Sequence, residues 1–513
     1  MAPKALADLT PYFLYLLLTA TLGPLLFGYH LAELNAPQQV ITCVKESLGT
    51  STFHRIKNAL TQTSPENGGP LPQCLPMNPT EFGVVSSFFT LGGLIGALSA
   101  GPVTAKQGRL LTMIYSSAFA VVGPALEAPS INVPMLAIGR LVSGVGAGAA
   151  TVVVPIYISE ISPPSKRGFF GAFTQILTNC GILITQALGL FLSRGQLWRI
   201  ILAVGGLIGL IQALGLVLGG QESPKWLAEK GKTTSARKIL QRIRGENANV
   251  EDELSGWATG DQDEEEERLL AAGNDGNEDT NSGAPRLLRR PSQQHRQNVG
   301  VFGVLKHPDY APAVFAVTMI MVAQQFTGIN SIVMYGVGLL SDLLAANSAI
   351  LNVLVAAVNV VITTSCAPLS DRWGRKTCLL ISISGMGISS ILLAAGIMNS
   401  IKILSAVSVI LFVASFGFGL GPIPFILASE LVNTEAVGAT QSWALAANWI
   451  ATFIVAQFFP LINDKMGKGQ VYFIFAAFAL LFGTFITWWV PETRGRRDAD
   501  EVWGRKKAPD LED

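Results

Sequence analysis

Twelve apolar runs, most of them near the roughly 20 residues that a helix needs to cross a bilayer, constrain this chain more than any other feature. They fall at about 11–31, 83–103, 110–128, 134–158, 170–193, 198–219, 310–336, 348–369, 377–397, 402–427, 436–460 and 470–490. A spanning segment must satisfy its own backbone hydrogen bonds, and a barrel would show alternation in segments of about ten residues instead, so all twelve read as helices. Composition agrees. Only 14% of the 513 residues are charged, against about 25% in an ordinary soluble domain. A net charge of +1 excludes a general nucleic-acid binder. The five Cys and four His show no metal-ligand spacing. No GxxxxGK[ST] run, catalytic triad or nucleotide-binding Gly loop occurs, so neither an enzyme nor a bound cofactor is expected.

Lys and Arg set the orientation. Lys106, Arg109, Lys166, Arg167, Arg372, Arg375 and Lys376 follow spans 2, 4 and 8, while the opposite loops carry almost none. Both termini are therefore expected in the cytosol, and because residues 1–10, which precede the first span, have one Lys and no small-residue cleavage site, that span reads as a retained helix rather than a signal peptide. Residues 32–82 become a long non-cytosolic loop that holds Cys43 and Cys74. They form a disulfide there or stay as two thiols; both readings stand at this point.

A second non-membrane segment, 221–308, divides the spans six and six. Glu222–Arg244 reads as an amphipathic basic helix, and about 246–300 as disordered, with thirteen acids and one Arg between Glu246 and Asp279. Within it, Glu265 stands four residues before Leu269-Leu270, which resembles an acidic dileucine sorting signal for endolysosomal or vacuolar membranes; Arg289-Arg290-Pro291-Ser292 resembles a weak basophilic kinase site. A sorting adaptor is the partner this implies, and a vacuolar membrane is favoured over the plasma membrane.

The chain repeats itself. Glu160, Gly168 and Glu222 recur as Glu430, Gly438 and Glu492, each 270 residues on, and Gly108-Arg109 recurs as Gly374-Arg375. Two six-helix bundles in parallel order follow: residues 1–220 and 309–492, with 493–513 as a tail. Parallel halves of this kind hold a substrate between them near the midplane and work by rocking.

Gly139-Arg140 with Gly144, Gly146 and Gly148; Pro155-Ile-Tyr157-Ile-Ser-Glu160; Pro164-Ser-Lys-Arg167-Gly168; Gln324-Gln325-Phe-Thr-Gly328-Ile-Asn330; Asp371-Arg372-Trp-Gly374-Arg375-Lys376; Gly421-Pro-Ile-Pro424; and Pro491-Glu492-Thr-Arg494-Gly495 occur in this order. The set resembles the sugar-porter signature of the major facilitator superfamily, to which the facilitative glucose transporters of animals belong. That resemblance implies alternating access to a small neutral carbohydrate within the bilayer. It also implies that Arg109, Arg140, Glu160, Arg167, Glu222, Arg372, Arg375, Glu430 and Glu492, grouped where spans meet cytosol, latch the two bundles. Uncharged amides inside apolar spans suit sugar hydroxyls, because an amide both donates and accepts. Gln175, Gln324, Gln325, Asn330, Asn359 and Asn448 match sugar-contacting positions, with Gln186 a weaker addition, and Trp449 and Phe425 offer aromatic faces.

Departures are specific. Proton-coupled members carry an acid in a Gly-Tyr-Asp run of span 1; here it reads Gly28-Tyr29-His30. A passive facilitator is expected, with a proton symporter that uses another group as the alternative. His30 itself is either proton-linked or an uninvolved residue at the mouth of a cavity. A transporter-like sugar sensor is the rival of another class, disfavoured by the short tail after Pro491.

Overall fold

In a computed structural model of the chain, the described residues are 9–44, 71–245, 248–251, 253–254, 257, 303–344, 347–432, 434–467, 469–496 and 499–504. Glu265, Leu269, Leu270 and Ser292 lie outside them, as does most of the segment expected to be disordered. Among the described residues, twelve helices are long and apolar enough to cross a membrane: Pro11–Ala32, Pro79–Gln107, Arg109–Glu127, Val133–Ile161, Arg167–Leu192, Gly195–Gly219, Ala311–Leu340, Ser348–Cys366, Arg375–Met398, Lys402–Ala428, Ala436–Met466 and Val471–Trp489. We number these spans 1–12. Leu18, Leu218, Leu480 and Trp488 are 61, 82, 75 and 87% exposed, an apolar surface on the long apolar helices that suits lipid. This is an integral multi-pass membrane protein.

Local chemistry sets several span starts. Asn78 and Glu81 form a reciprocal capping box, with bonds of 2.8 Å each way, and Pro79 fills the first helical position, so span 2 begins four residues before its apolar run. Asn132 caps span 4 through the Met135 N–H at 2.9 Å. Spans 2 and 4 then cross in backbone contact. A Cβ on Gly92, Gly96, Gly144 or Gly148 would sit 2.0–2.1 Å from a carbonyl oxygen of the facing helix, so only glycine permits this approach.

Span 7 is broken at Thr327–Gly328, between helices Ala311–Phe326 and Ile329–Leu344, and span 10 at Gly419–Pro422, between Lys402–Phe418 and Ile423–Glu430. Broken spans expose backbone groups inside the bilayer, where they are tolerated only if they line a cavity or are buried in protein.

With twelve spans among the described residues, Pro11 at the start of span 1 and Trp489 at the end of span 12 share one face, here called the terminal face. The opposite face carries a disulfide between Cys43 and Cys74, with Cα atoms 5.3 Å apart. Beside it the Leu75 N–H donates to Ile41 O at 2.7 Å, and Arg199 donates to the carbonyls of Pro72, Ala128 and Ser130. Closing a 31-residue loop is worth about 3–4 kcal/mol on chain entropy. Cys43→Ser with Cys74→Ser should therefore lower the thermal midpoint markedly, and reductant should lower the parent's but not the variant's.

On the terminal face, the expected amphipathic helix is two helices, Pro224–Glu229 and Thr233–Arg244, turning at Gly231. The second buries Ala236, Leu240 and Ile243. Arg244 donates to Ile161 O at 2.6 Å, and Thr10 Oγ1 to Ile243 O at 2.7 Å, which ties this pair to spans 1 and 4.

Candidate functional site

Four polar constellations sit on this frame. The first gathers at the two span breaks. Gln324 Nε2 donates to Leu420 O (2.6 Å) and Gly421 O (3.2 Å) at the break in span 10. Its Oε1 accepts from Gln325 Nε2 (3.1 Å) and, from span 11, Asn448 Nδ2 (2.7 Å). Asn330, just past the break in span 7, donates to Gln325 Oε1 at 2.6 Å. Gln324, Gln325 and Asn330 are 4–6% exposed. Each amide satisfies another, so the cluster carries little desolvation cost when empty. Each pair can also open to admit a hydroxyl, which donates and accepts in turn.

The second constellation joins the two bundles. Asn179 Oδ1 in span 5 accepts from Gln175 Nε2 and from Asn359 Nδ2 of span 8, both at 3.3 Å; Asn179 Nδ2 donates to Thr363 Oγ1 at 3.0 Å. Asn179 and Thr363 did not stand out in the sequence. Spacing could have found them, since each lies one helical turn from an amide already singled out. Trp449, 4% exposed, packs edge-on to Phe27 and Phe89 of the first bundle, with ring centroids 5.6 and 6.3 Å away. Gln186 is buried, its Oε1 without a hydrogen-bond partner. Phe425 is 42% exposed, and no hydrogen bond or ring contact among the described residues links either of them to the amides.

The third constellation repeats in both halves on the terminal face. Arg109 grips Glu160 through Nε (2.8 Å) and Nη2 (2.6 Å), and Arg375 grips Glu430 through Nη2 at 2.9 Å. Glu222 Oε1 accepts from the Arg109 N–H and Glu492 Oε1 from the Arg375 N–H, each at 2.8 Å. These carboxylates sit at the N-termini of spans 3 and 9, where the helix dipole favours negative charge. Gly108 and Gly374 adopt φ of 98° and 96°, and a Cβ on either would collide with the Glu222 or Glu492 carboxylate, which explains the repeated Gly-Arg pair. In this state the paired charges bond within their own bundles. Arg167 and Arg372 are exposed, and a Cβ on Gly168, Gly171 or Gly438 would meet nothing within 4 Å. The terminal face is open, while the disulfide face is shut by bonds between bundles such as Ser87 Oγ to Gln457 Oε1 at 2.7 Å.

Arg140 does not belong to that set. It lies in the second turn of span 4, which starts on the disulfide face, and is 1% exposed. The sequence grouping went by charge and overlooked the direction of the span. Arg140 pairs with Glu33, donates to His30 O at 2.8 Å and stacks over Phe89 at 4.5 Å. His30 is no cavity-mouth residue either: it is fully buried, Nδ1 3.0 Å from Glu33 Oε2. Glu127 of span 3 lies within electrostatic reach of the same groups and accepts from Ser143 Oγ at 2.6 Å. Glu33 and Glu127 went unremarked in the sequence, although acids beside or inside apolar runs are a signal in themselves.

Twelve spans in two repeated halves, with one amide cluster at the broken helices of the second half and another joining spans 5 and 8 across the halves, define a transporter architecture. The chain belongs to the family described as "Sugar (and other) transporter", whose sequence model matches residues 16–500. Among curated relatives, it is 32% identical to "Probable metabolite transport protein YBR241C" of Saccharomyces cerevisiae (95% of this chain, 94% of that one). It is 29% identical to "Vacuolar protein sorting-associated protein 73" of the same yeast (95% of each). It is 28% identical to the facilitated glucose transporter member 3 of Rattus norvegicus (96% and 93%). The fold matches the xylose transporter XylE from E. coli in a partially occluded inward open conformation, with a TM-score of 0.72 at 22% identity over 95% of this chain and 100% of that one. Family and fold are those of transporters.

Proposed function

We propose that the chain carries a small neutral carbohydrate down its gradient by alternating access, with Gln175, Gln324, Gln325, Asn330, Asn359 and Asn448 as the hydroxyl-binding amides. One observation carries this reading: Gln175 and Asn179 of the first bundle meet Asn359 and Thr363 of the second, where rocking the bundles would part them, and a further amide cluster lines the interrupted helices of the second bundle. Absence of any charged group in that amide set favours a neutral, hydroxyl-rich cargo, and the family and the rat glucose transporter point the same way. Trp449 covers one sugar face. Counterflow of radiolabelled hexoses, pentoses and polyols into proteoliposomes tests it; exchange of none of them overturns it, and binding without flux would mean a sensor.

The Lys and Arg bias supports a cytosolic terminal face, so the open side here faces the cytosol. The charged pairs of the two bundles would then meet when that side closes. The Glu265–Leu269–Leu270 signal and the vacuolar name of one yeast relative favour an endolysosomal or vacuolar membrane, with a sorting adaptor as partner. Leu269→Ala with Leu270→Ala should move a tagged protein to the cell surface; an unmoved protein refutes the address.

Proton symport is the second reading, and a specific observation favours it. The carboxylate missing at position 30 has a counterpart one turn on, where Glu33 pairs with Arg140 beside Glu127 and His30. Two carboxylates against one guanidinium leave room for one exchangeable proton. Uptake that collapses with an uncoupler in the parent but not in Glu33→Gln would decide for symport; insensitivity in both decides for passive flux.

A further inference from the structure

Helix Thr233–Arg244 on the terminal face holds Arg237, Lys238, Arg242 and Arg244 and no acid, and its two flanks differ. On one flank Arg237 Nε donates to Glu251 Oε1 at 2.7 Å and Arg244 Nη2 to Glu253 Oε1 at 2.9 Å. On the other, Lys238 and Arg242 are exposed and have no acid partner among the described residues. Residues four apart share a helix face, so these two charges form one row. Arg242 stacks over the Tyr12 ring, with the guanidinium carbon 3.9 Å from the centroid. We infer that Lys238 and Arg242, seated on Tyr12, bind the phosphate of an anionic phospholipid in the leaflet on the terminal face. This site is separate from the amide clusters, and its test needs no sugar.

Depth decides between lipid and solvent. Tyr12 and Tyr15 stack with ring centroids 6.3 Å apart at the start of span 1. Their hydroxyls donate to Gly219 O (2.9 Å) and Gly215 O (2.6 Å) near the end of span 6. The row continues to Leu18, 61% exposed, while Leu218, beside Gly219, is 82% exposed, so lipid lies against this face. From Leu18 to Tyr12 the helix rises about 9 Å, which takes Tyr12 from the acyl chains to the interface where tyrosine collects. Arg242, lying on its ring, stands at headgroup level. A guanidinium stacked on an aromatic face keeps its N–H edge for acceptors in its own plane, and a phosphate takes two such bonds at once. Thr10 and Arg244 already fix the helix to the first bundle, so the pair is presented without rearrangement. A soluble phosphate would meet only the two charges, whereas a phospholipid adds acyl chains against Tyr15, Leu18 and Leu218. The Lys and Arg bias that points this face to the cytosol also points it to the anionic leaflet.

Native mass spectrometry of the full-length purified protein, with equal amounts of phosphatidylserine and phosphatidylcholine added to the detergent, tests this. The parent should retain one phosphatidylserine at a concentration that leaves phosphatidylcholine unbound. Arg242→Gln should weaken that first binding step about five-fold, and Arg242→Gln with Lys238→Gln about twenty-fold, from the attraction of each basic residue to an anionic leaflet. Arg237→Gln makes the same change of charge on the paired flank and should bind as the parent does, since an exposed ion pair contributes little to the fold. Equal losses in Arg237→Gln and Arg242→Gln would mean diffuse attraction to a basic helix and overturn the site, as would a parent that takes both lipids alike. Glycerophosphoserine, which has the headgroup without the chains, should not compete at the lipid's own concentration. Competition on equal terms would make this a site for soluble anions and overturn the lipid. Thermal midpoints equal to the parent's in phosphatidylcholine alone separate lost binding from lost fold.

Discussion

Arg140→Leu should destabilise the folded protein by about 3–5 kcal/mol, the usual consequence of removing one partner from a buried ion pair. The size follows from what stays behind. Glu33 loses its ion pair, the His30 carbonyl loses a donor at 2.8 Å, and Glu127 keeps only Ser143 as its hydrogen-bond donor. Both acids are fully buried, and an uncompensated carboxylate in an apolar bundle has no inexpensive refuge. Glu33→Gln should be much milder, because a neutral amide can still accept from the guanidinium and leaves Arg140 facing Glu127. Arg140→Lys should fall between them, since an ammonium cannot reproduce the fixed geometry of a guanidinium fork. Thermal unfolding in one detergent ranks the three. A melting point for Arg140→Leu equal to the parent's would mean that the cluster is neutral and contributes little.

That cluster also marks where sequence reading stops. The twelve spans were legible because hydropathy over about twenty residues is a property of composition, which needs no partner. Their ends were less so: span 11 runs to Met466 and not to 460, because Pro460 sits inside the helix, tolerated where neighbouring helices re-satisfy the backbone. The repeat was legible for a physical reason too. Gly108 and Gly374, with the acids that close on them, solve the same turn twice. What could not be read was pairing across sequence distance. Arg140 meets Glu33, 107 residues away, and nothing in a one-dimensional string says that spans 1, 3 and 4 bring their charges to one depth. Likewise the terminal-face charges were expected to bridge the bundles, yet in this state Arg109 and Arg375 each turn to an acid of their own half, Glu160 and Glu430. Of the amides, the sequence identified Gln324, Gln325 and Asn330 by their motif, but Asn179, which joins Gln175 to Asn359, emerged only from the fold.

Among the amides, Gln324→Ala should weaken sugar binding most, and by much more than Asn330→Ala. Gln324 is the hub. Its loss leaves the carbonyls of Leu420 and Gly421 short of a donor, and frees Gln325 and Asn448 of their shared acceptor. Asn330 makes a single bond, to Gln325 Oε1. A hydrogen bond left unmatched in a closed site costs about 1–3 kcal/mol, or roughly 5- to 150-fold in affinity. Gln324→Ala belongs near the upper end of that range and Asn330→Ala near ten-fold. Titration of purified protein with the best sugar from the counterflow panel gives both constants, and unchanged circular dichroism separates lost binding from lost fold. Gln324→Glu refines the comparison: it keeps an acceptor for Gln325 and Asn448 but turns an oxygen toward the carbonyls at the break in span 10, so it should bind nearly as poorly as the Ala variant. Two well-folded proteins with the parent's affinity would remove the amide cluster from the sugar site altogether, and the pocket would have to be sought at the Asn179–Asn359–Thr363 junction instead.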